Sequence, residues 1–153
     1  LPDRFPVLLS PLSKALYRHT MKIFFALSFL FTFFPAKAAD VRLPDLSGVT
    51  DKGFTIEIYS ELSPLSINTM HSWHIRVLDR DDEILELEEL NVFAGMPEHD
   101  HGLPTQPQVT RRLETGDYLL EGVRFHMQGR WELQIEFQYA GVDDTAIIDF
   151  DLQ

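Results

Sequence analysis

Trp131-Glu132-Leu133-Gln134-Ile135-Glu136-Phe137-Gln138-Tyr139 alternates apolar and polar residues without a break. Successive side chains of a β-strand point to opposite faces, so Trp131, Leu133, Ile135, Phe137 and Tyr139 share one face. The stretch predicts a strand with one side in a core and the other in water. Downstream, Gly141-Val142-Asp143-Asp144 predicts a turn and Ala146 to Phe150 a closing strand. Upstream, Val109 to Leu113 and Tyr118 to Phe125 read as strands joined by a turn at Glu114-Thr115-Gly116-Asp117. Phe54 to Ser60 places Phe54, Ile56 and Ile58 on one face, and His71 to Leu78 does the same for His71, Trp73, Ile75 and Val77. Asp79-Arg80-Asp81-Asp82 then reads as a hairpin turn into a strand from Ile84 to Ala94, with a bulge expected at Glu88-Glu89. Gly95 to Pro107 holds two Gly and three Pro and reads as a loop, and Asp40 to Lys52 as a lead-in. No stretch of this region has helical periodicity. About seven short strands separated by turn signals predict an all-β fold, an antiparallel sandwich of immunoglobulin-like or cupredoxin-like type.

The amino-terminal part has a different character. Met21-Lys22 precedes 12 largely apolar residues from Ile23 to Phe34, then Pro35 and Ala36-Lys37-Ala38. A basic start, a short apolar run and an A-x-A site are the marks of a secretory signal peptide, expected over residues 21–39. The run falls short of the ~20 residues that a spanning helix needs. Residues 1–20 precede a good signal start and are expected to be an artefact of the translation start. The single domain is therefore expected over residues 40–153, in an exported, periplasmic protein with no stable membrane insertion after cleavage. That region carries 8 Lys and Arg against 23 Asp and Glu, a formal charge of −15. So acidic a surface repels nucleic acid and anionic membranes. The absence of cysteine removes disulfides and thiolate ligands alike.

The residues that can carry chemistry are histidines and methionines. Met96, His99 and His101 fall within six residues, and His126-Met127 follows between a strand end and a Gln128-Gly129 turn. Imidazole with thioether is a borderline-to-soft donor set that suits copper better than magnesium or calcium. His99 and His101, two residues apart, point the same way if the loop is extended. His71 opens a strand on the same face as Trp73 and is a further candidate, whereas His74 faces away. Glu98 and Asp100 flank the histidines and are placed to orient an imidazole N–H. A blue-copper electron-transfer centre is excluded, because it needs a cysteine ligand. No nucleophile elbow or phosphate-binding glycine loop is present, and the protein is not expected to be an enzyme. Zinc, the metal of hydrolytic His sites, makes little use of methionine.

Three blocks resemble a known family. They are Met70-His71-x-Trp73; Gly95-Met96-Pro97-Glu98-His99-Asp100-His101-Gly102-Leu103-Pro104-Thr105; and Phe125-His126-Met127-x-Gly129-x-Trp131-Glu132-Leu133. Together they are similar to the YtkA-like domain family of small exported bacterial β-sandwich proteins. That family is itself related in pattern to FixH-like proteins and to periplasmic copper chaperones that use Met and His. The resemblance implies Met96, His99, His101, His126, Met127 and His71 as metal ligands. It implies copper as the ion, Cu(I) in preference to Cu(II), held by a chaperone or buffer that hands it to an exported or membrane-bound acceptor protein. His126 and Met127 are adjacent where those chaperones carry a His-x-Met pair. The competing expectation is an interaction module of the cell envelope that binds no metal and uses the His/Pro/Gly loop as a structural clasp.

Overall fold

The computed structural model describes residues 42–153, which fall in a compact unit spanning Val41–Gln153. The expected signal peptide and upstream segment lie outside the described residues. Nine strands and no helix make up the described part: β1 (Leu46–Val49), β2 (Thr55–Ser60), β3 (His71–Leu78), β4 (Glu89–Met96), β5 (His101–Gly102), β6 (Gln108–Arg112), β7 (Tyr118–Val123), β8 (Gly129–Tyr139) and β9 (Val142–Leu152). They form two antiparallel sheets, in the orders β1-β2-β3-β7-β6 and β5-β4-β8-β9. The all-β sandwich expected from the alternation is what the chain builds.

The alternating faces fill the space between the sheets. Ile56 and Ile58 from β2, Ile75 from β3, and Trp131, Leu133 and Ile135 from β8 are all fully buried. Each such side chain contributes about 1.5–3 kcal/mol of burial. Phe125 ties the sheets together at one end, with ring centroids 5.7 Å from Trp73 and 4.9 Å from Trp131. On the outer face of the first sheet, Arg76 grips the buried Asp117 with two hydrogen bonds of 2.7 and 3.2 Å. The same guanidinium lies 5.2 Å over the Tyr59 ring.

Several elements differ from expectation, each for a reason of pairing. The strand expected from Ile84 begins at Glu89, because Ile84 makes only one bridge, to Leu78, before the chain leaves the first sheet for the second. The bulge expected at Glu88-Glu89 is absent, and β4 pairs in regular register with β8 from Glu89↔Gln138 to Gly95↔Glu132. The register shifts instead where β7 meets β3, between His71 and Trp73. Gly122 (φ +88°) lies within the β7 side of that shift, a conformation only glycine adopts readily. The Gly95 to Pro107 loop contains a hairpin: β4 runs on to Met96, which pairs with His101 of β5. The lead-in contains β1. The last turn is tighter than expected, since Ala140 and Gly141 both have positive φ and Tyr139 pairs directly with Val142. That is the two-residue hairpin geometry whose twist matches its strands.

Candidate functional site

Two connections meet at one rim of the sandwich. The first is the turn from Met96 to His101, which closes the β4–β5 hairpin. The His99 amide donates to the Met96 carbonyl at 2.9 Å, and Asp100 takes a left-handed conformation at φ 53°. The segment is a turn and not the extended loop expected from the sequence, yet its two imidazoles stay neighbours, with centroids 5.7 Å apart. The second connection is residues 124–128, which carry the chain from β7 in one sheet to β8 in the other. It is pinned from below: the Asn68 amide donates to the Phe125 carbonyl at 2.7 Å, and Arg124 reaches the Asn68 side chain at 3.4 Å.

Because this crossover leaves the strand alternation, His126 and Met127 both reach His101. The His126 ring lies 5.2 Å from the His101 ring, and Met127 Sδ lies 3.3 Å from His101 Nε2. His101 Nδ1 lies 2.9 Å from the His99 carbonyl oxygen. Both neighbours of the ring are acceptors, so a neutral ring that donates from Nδ1 to the carbonyl turns the Nε2 lone pair toward the sulfur. The thioether presents another. Two acceptors therefore face each other at 3.3 Å, an arrangement resolved by a proton or by a soft cation between them.

The orienting partner of His101 is thus a backbone carbonyl, where the sequence suggested Glu98 or Asp100. His126 keeps a buried Nδ1 without a hydrogen-bond partner. Its ring meets Trp131 edge-on at 5.8 Å, and Trp131 Nε1 donates to the Met127 carbonyl at 3.1 Å. Trp131 therefore braces both crossover residues, a role its reading as a core residue did not reveal. The four-residue step from Met127 to Trp131 is the signal that was there to read. Around the rim the charge is acidic. Arg130 is held by Asp149 at 3.1 Å, and that hydrogen bond raises the guanidinium pKa above its ordinary value.

Two other candidates are buried. Met96 is only 1 % exposed and belongs to the core, because it shares the inward parity of Leu90, Val92 and Ala94 on β4. Its methyl sits under Gly129: a Cβ added there would lie 3.2 Å from Met96 Cε. His71 is 8 % exposed and packs at centroid distances of 5.9 Å from Trp73 and 6.0 Å from Phe125. Its Nδ1 lies 3.0 Å from the Thr69 carbonyl, and its Nε2 is buried with no partner. Among the described residues, no three His, Cys, Asp or Glu side chains are arranged to hold a metal ion. The close group is a His/Met pair, with His126 beside it and His99 on its outer side.

A family model described as YtkA-like matches residues 49–136, more than half of the chain and the whole of both connections. Comparison with curated proteins and with solved structures gave no match.

Proposed function

The chain belongs to the YtkA-like family, and we propose that this member is an exported copper-binding protein, a chaperone or buffer, that takes Cu(I) between His101 and Met127. The observation that carries this reading is the pair of lone-pair donors facing each other at 3.3 Å, one of them fixed in its tautomer by the His99 carbonyl. Thioether selects soft, reduced copper, and reduced copper accepts low coordination. A zinc site asks for four ligands from Cys, His and carboxylate, which this rim does not assemble. His126 is the third donor within reach, and exposed His99 is the residue an incoming ion meets first. The acidic surface draws cations towards the rim. Release to an exported or membrane-bound acceptor then proceeds by exchange of these ligands one at a time. Binding needs neutral imidazole, so affinity falls in acid.

Anaerobic titration with Cu(I) against a competing chelator tests this. His101→Ala and Met127→Leu are each expected to weaken binding at least about tenfold, the smallest effect usual for disturbing a metal site. His74→Ala, whose ring lies 3.1 Å from Glu61 away from the rim, is the control and leaves affinity unchanged. Equal affinity in the wild type and the two rim variants overturns the reading. It would favour the second one, an envelope interaction module without metal, for which the His101–His99 carbonyl bond is a structural clasp.

A further inference from the structure

The two sheets are unequal, and the inequality leaves a groove. β6 is the outermost strand of the first sheet. The matching outermost strand of the second sheet is β5, which pairs with β4 only at Gly95↔Gly102 and Met96↔His101. From Glu89 to Ala94, β4 is paired with β8 on one side and with no strand on the other. Such an edge presents unpaired backbone donors and acceptors. The inward residues record the gap. Val92 and Ala94 on β4 and Val109 on β6 are only half-buried, although their counterparts on β8 and β7 are fully so.

Two clefts lie along this edge. One of about 400 Å³ is walled by Phe93, Ala94, Leu103, Thr105 and Pro107. The other, of about 260 Å³, lies between Leu87–Leu90 and Val109–Arg112. Thr105, in the wall of the first, has a buried hydroxyl without a hydrogen-bond partner. The outward face of β4 shows Glu89, Asn91 and Phe93, the last 55 % exposed. Behind it, Glu132 and Glu136 of β8 face the same way, paired with Gly95 and Asn91.

We propose that an extended, basic segment of a partner protein adds a strand to β4 and completes the second sheet over β6. Backbone hydrogen bonds to Glu89–Ala94 would supply affinity, and alternate side chains would supply choice. Inward positions of the segment take apolar side chains against Leu103, Pro107 and Val109. Outward positions take Lys or Arg, whose charge meets Glu89 and whose methylene stems lie against Phe93, since directly opposed residues on neighbouring strands interact. Glu89, with Glu132 and Glu136 behind it, and the charge of −15 over residues 40–153 argue for lysine or arginine on the outward positions and against a second copy of this chain, while Arg111 and Arg112 of β6 keep the inward positions apolar. The inference rests on the edge of β4 and not on the copper reading. β4 leads into the hairpin that carries His99 and His101, so a segment bound here would lie next to that rim.

The probe is a synthetic peptide alternating valine and lysine, with a peptide of the same composition in scrambled order as control. Hydrogen exchange and backbone NMR shifts are measured on the metal-free protein, so the outcome is independent of copper. The expected result is new protection of the amides between Glu89 and Ala94 with the alternating peptide only. Ala94→Lys, an inward charge on the edge, and Phe93→Lys, an outward one, should each weaken binding about fivefold, the scale of a lost cross-strand pair. Thermal melts of both variants establish that they fold, and Phe93→Lys, at an exposed position, serves alone if Ala94→Lys does not. Protection confined to β6, equal binding of the scrambled peptide, no protection at all, or self-association through β4 would each overturn the proposal.

Discussion

Replacing Trp131 by phenylalanine separates the two tasks of this residue, filling the core and bracing the rim. The indole is 0 % exposed, stands 4.9 Å from Phe125 and 5.8 Å from His126 between centroids, and donates to the Met127 carbonyl at 3.1 Å. Phenylalanine keeps an aromatic ring on the same strand and removes the N–H. The lost hydrogen bond leaves a carbonyl of the crossover short of a partner, at a cost of about 1–2 kcal/mol. The smaller ring withdraws roughly 40 Å² of apolar contact, about 1 kcal/mol more. Together these give about 2–3 kcal/mol. For a domain of this size that is a fall in melting temperature of roughly 10 °C.

Differential scanning calorimetry measures the fall, and Cu(I) competition measures the rim. Trp131→Phe is expected to weaken copper binding while leaving every proposed ligand in place. The missing brace frees the Met127 backbone and so spreads the 3.3 Å approach of its sulfur to His101. Trp131→Tyr, with a phenol unable to reach the same carbonyl from the same position, should behave like Phe. A melting temperature within about 2 °C of the wild type, well under the worked fall, would refute the hydrogen-bond argument. Unchanged copper affinity despite a large fall would show that the brace serves the core alone.

Two further expectations follow from single contacts. Gly129→Ala places a side chain at φ +119° with its Cβ 3.2 Å from Met96 Cε, so chemical denaturation should show a loss of about 2 kcal/mol; stability equal to wild type would contradict the strain of this backbone conformation. The Tyr59 pKa is pushed up to about 12 from 10.0, first by burial and then by its hydrogen bond to the Glu57 carboxylate at 2.7 Å. A raised folded pKa means that the neutral phenol is favoured by folding, so this contribution is fully present below pH 10 and is lost as pH rises towards 12. Ultraviolet titration of Tyr59, isolated by difference against Tyr59→Phe, checks it, and Glu57→Gln should bring the titration down; a midpoint at the ordinary phenol value in the wild type would contradict the geometry.

The sequence made the faces legible and the edges illegible. In β2, β3 and β8 the alternation decides which residues turn inward, and those residues are the core: Ile56, Ile58, Trp73, Ile75, Leu133 and Ile135. A side chain's face is a local property, set by parity along one strand. Where a strand stops is not local, because it depends on a partner far away in the chain. Ile84 to Glu88 looked like the start of a strand but crosses between sheets. Met96 looked like part of a loop but ends β4 at an inward position. Had parity been carried on from Leu90, Val92 and Ala94, it would have assigned Met96 to the core. The residue types of the rim, His and Met without Cys, could be read directly. The closeness of His101 to His126 and Met127 could not, since 24 residues, with two strands of the other sheet, lie between the two histidines.

That long separation also bears on the soft site proposed at this end of the sandwich. A strand alternates, so two adjacent residues on it cannot serve one ligand. His126 and Met127 are adjacent and both approach His101, which requires that the chain between β7 and β8 be neither strand nor free loop. The Gly122 conformation shifts the register of β7 just before its end, Asn68 holds the Phe125 carbonyl, and Trp131 holds the Met127 carbonyl. Between those two held carbonyls lies a single residue, His126. The crossover is thus fixed on both sides of the imidazole it presents, through carbonyls held by the Asn68 amide and the Trp131 indole. Opposite it, His101 is fixed by a backbone carbonyl of its own hairpin. Donors positioned this way need no ion to hold them in place. That would suit the proposed task of taking up an ion and giving it away, because little structure would have to be remade when the ion leaves.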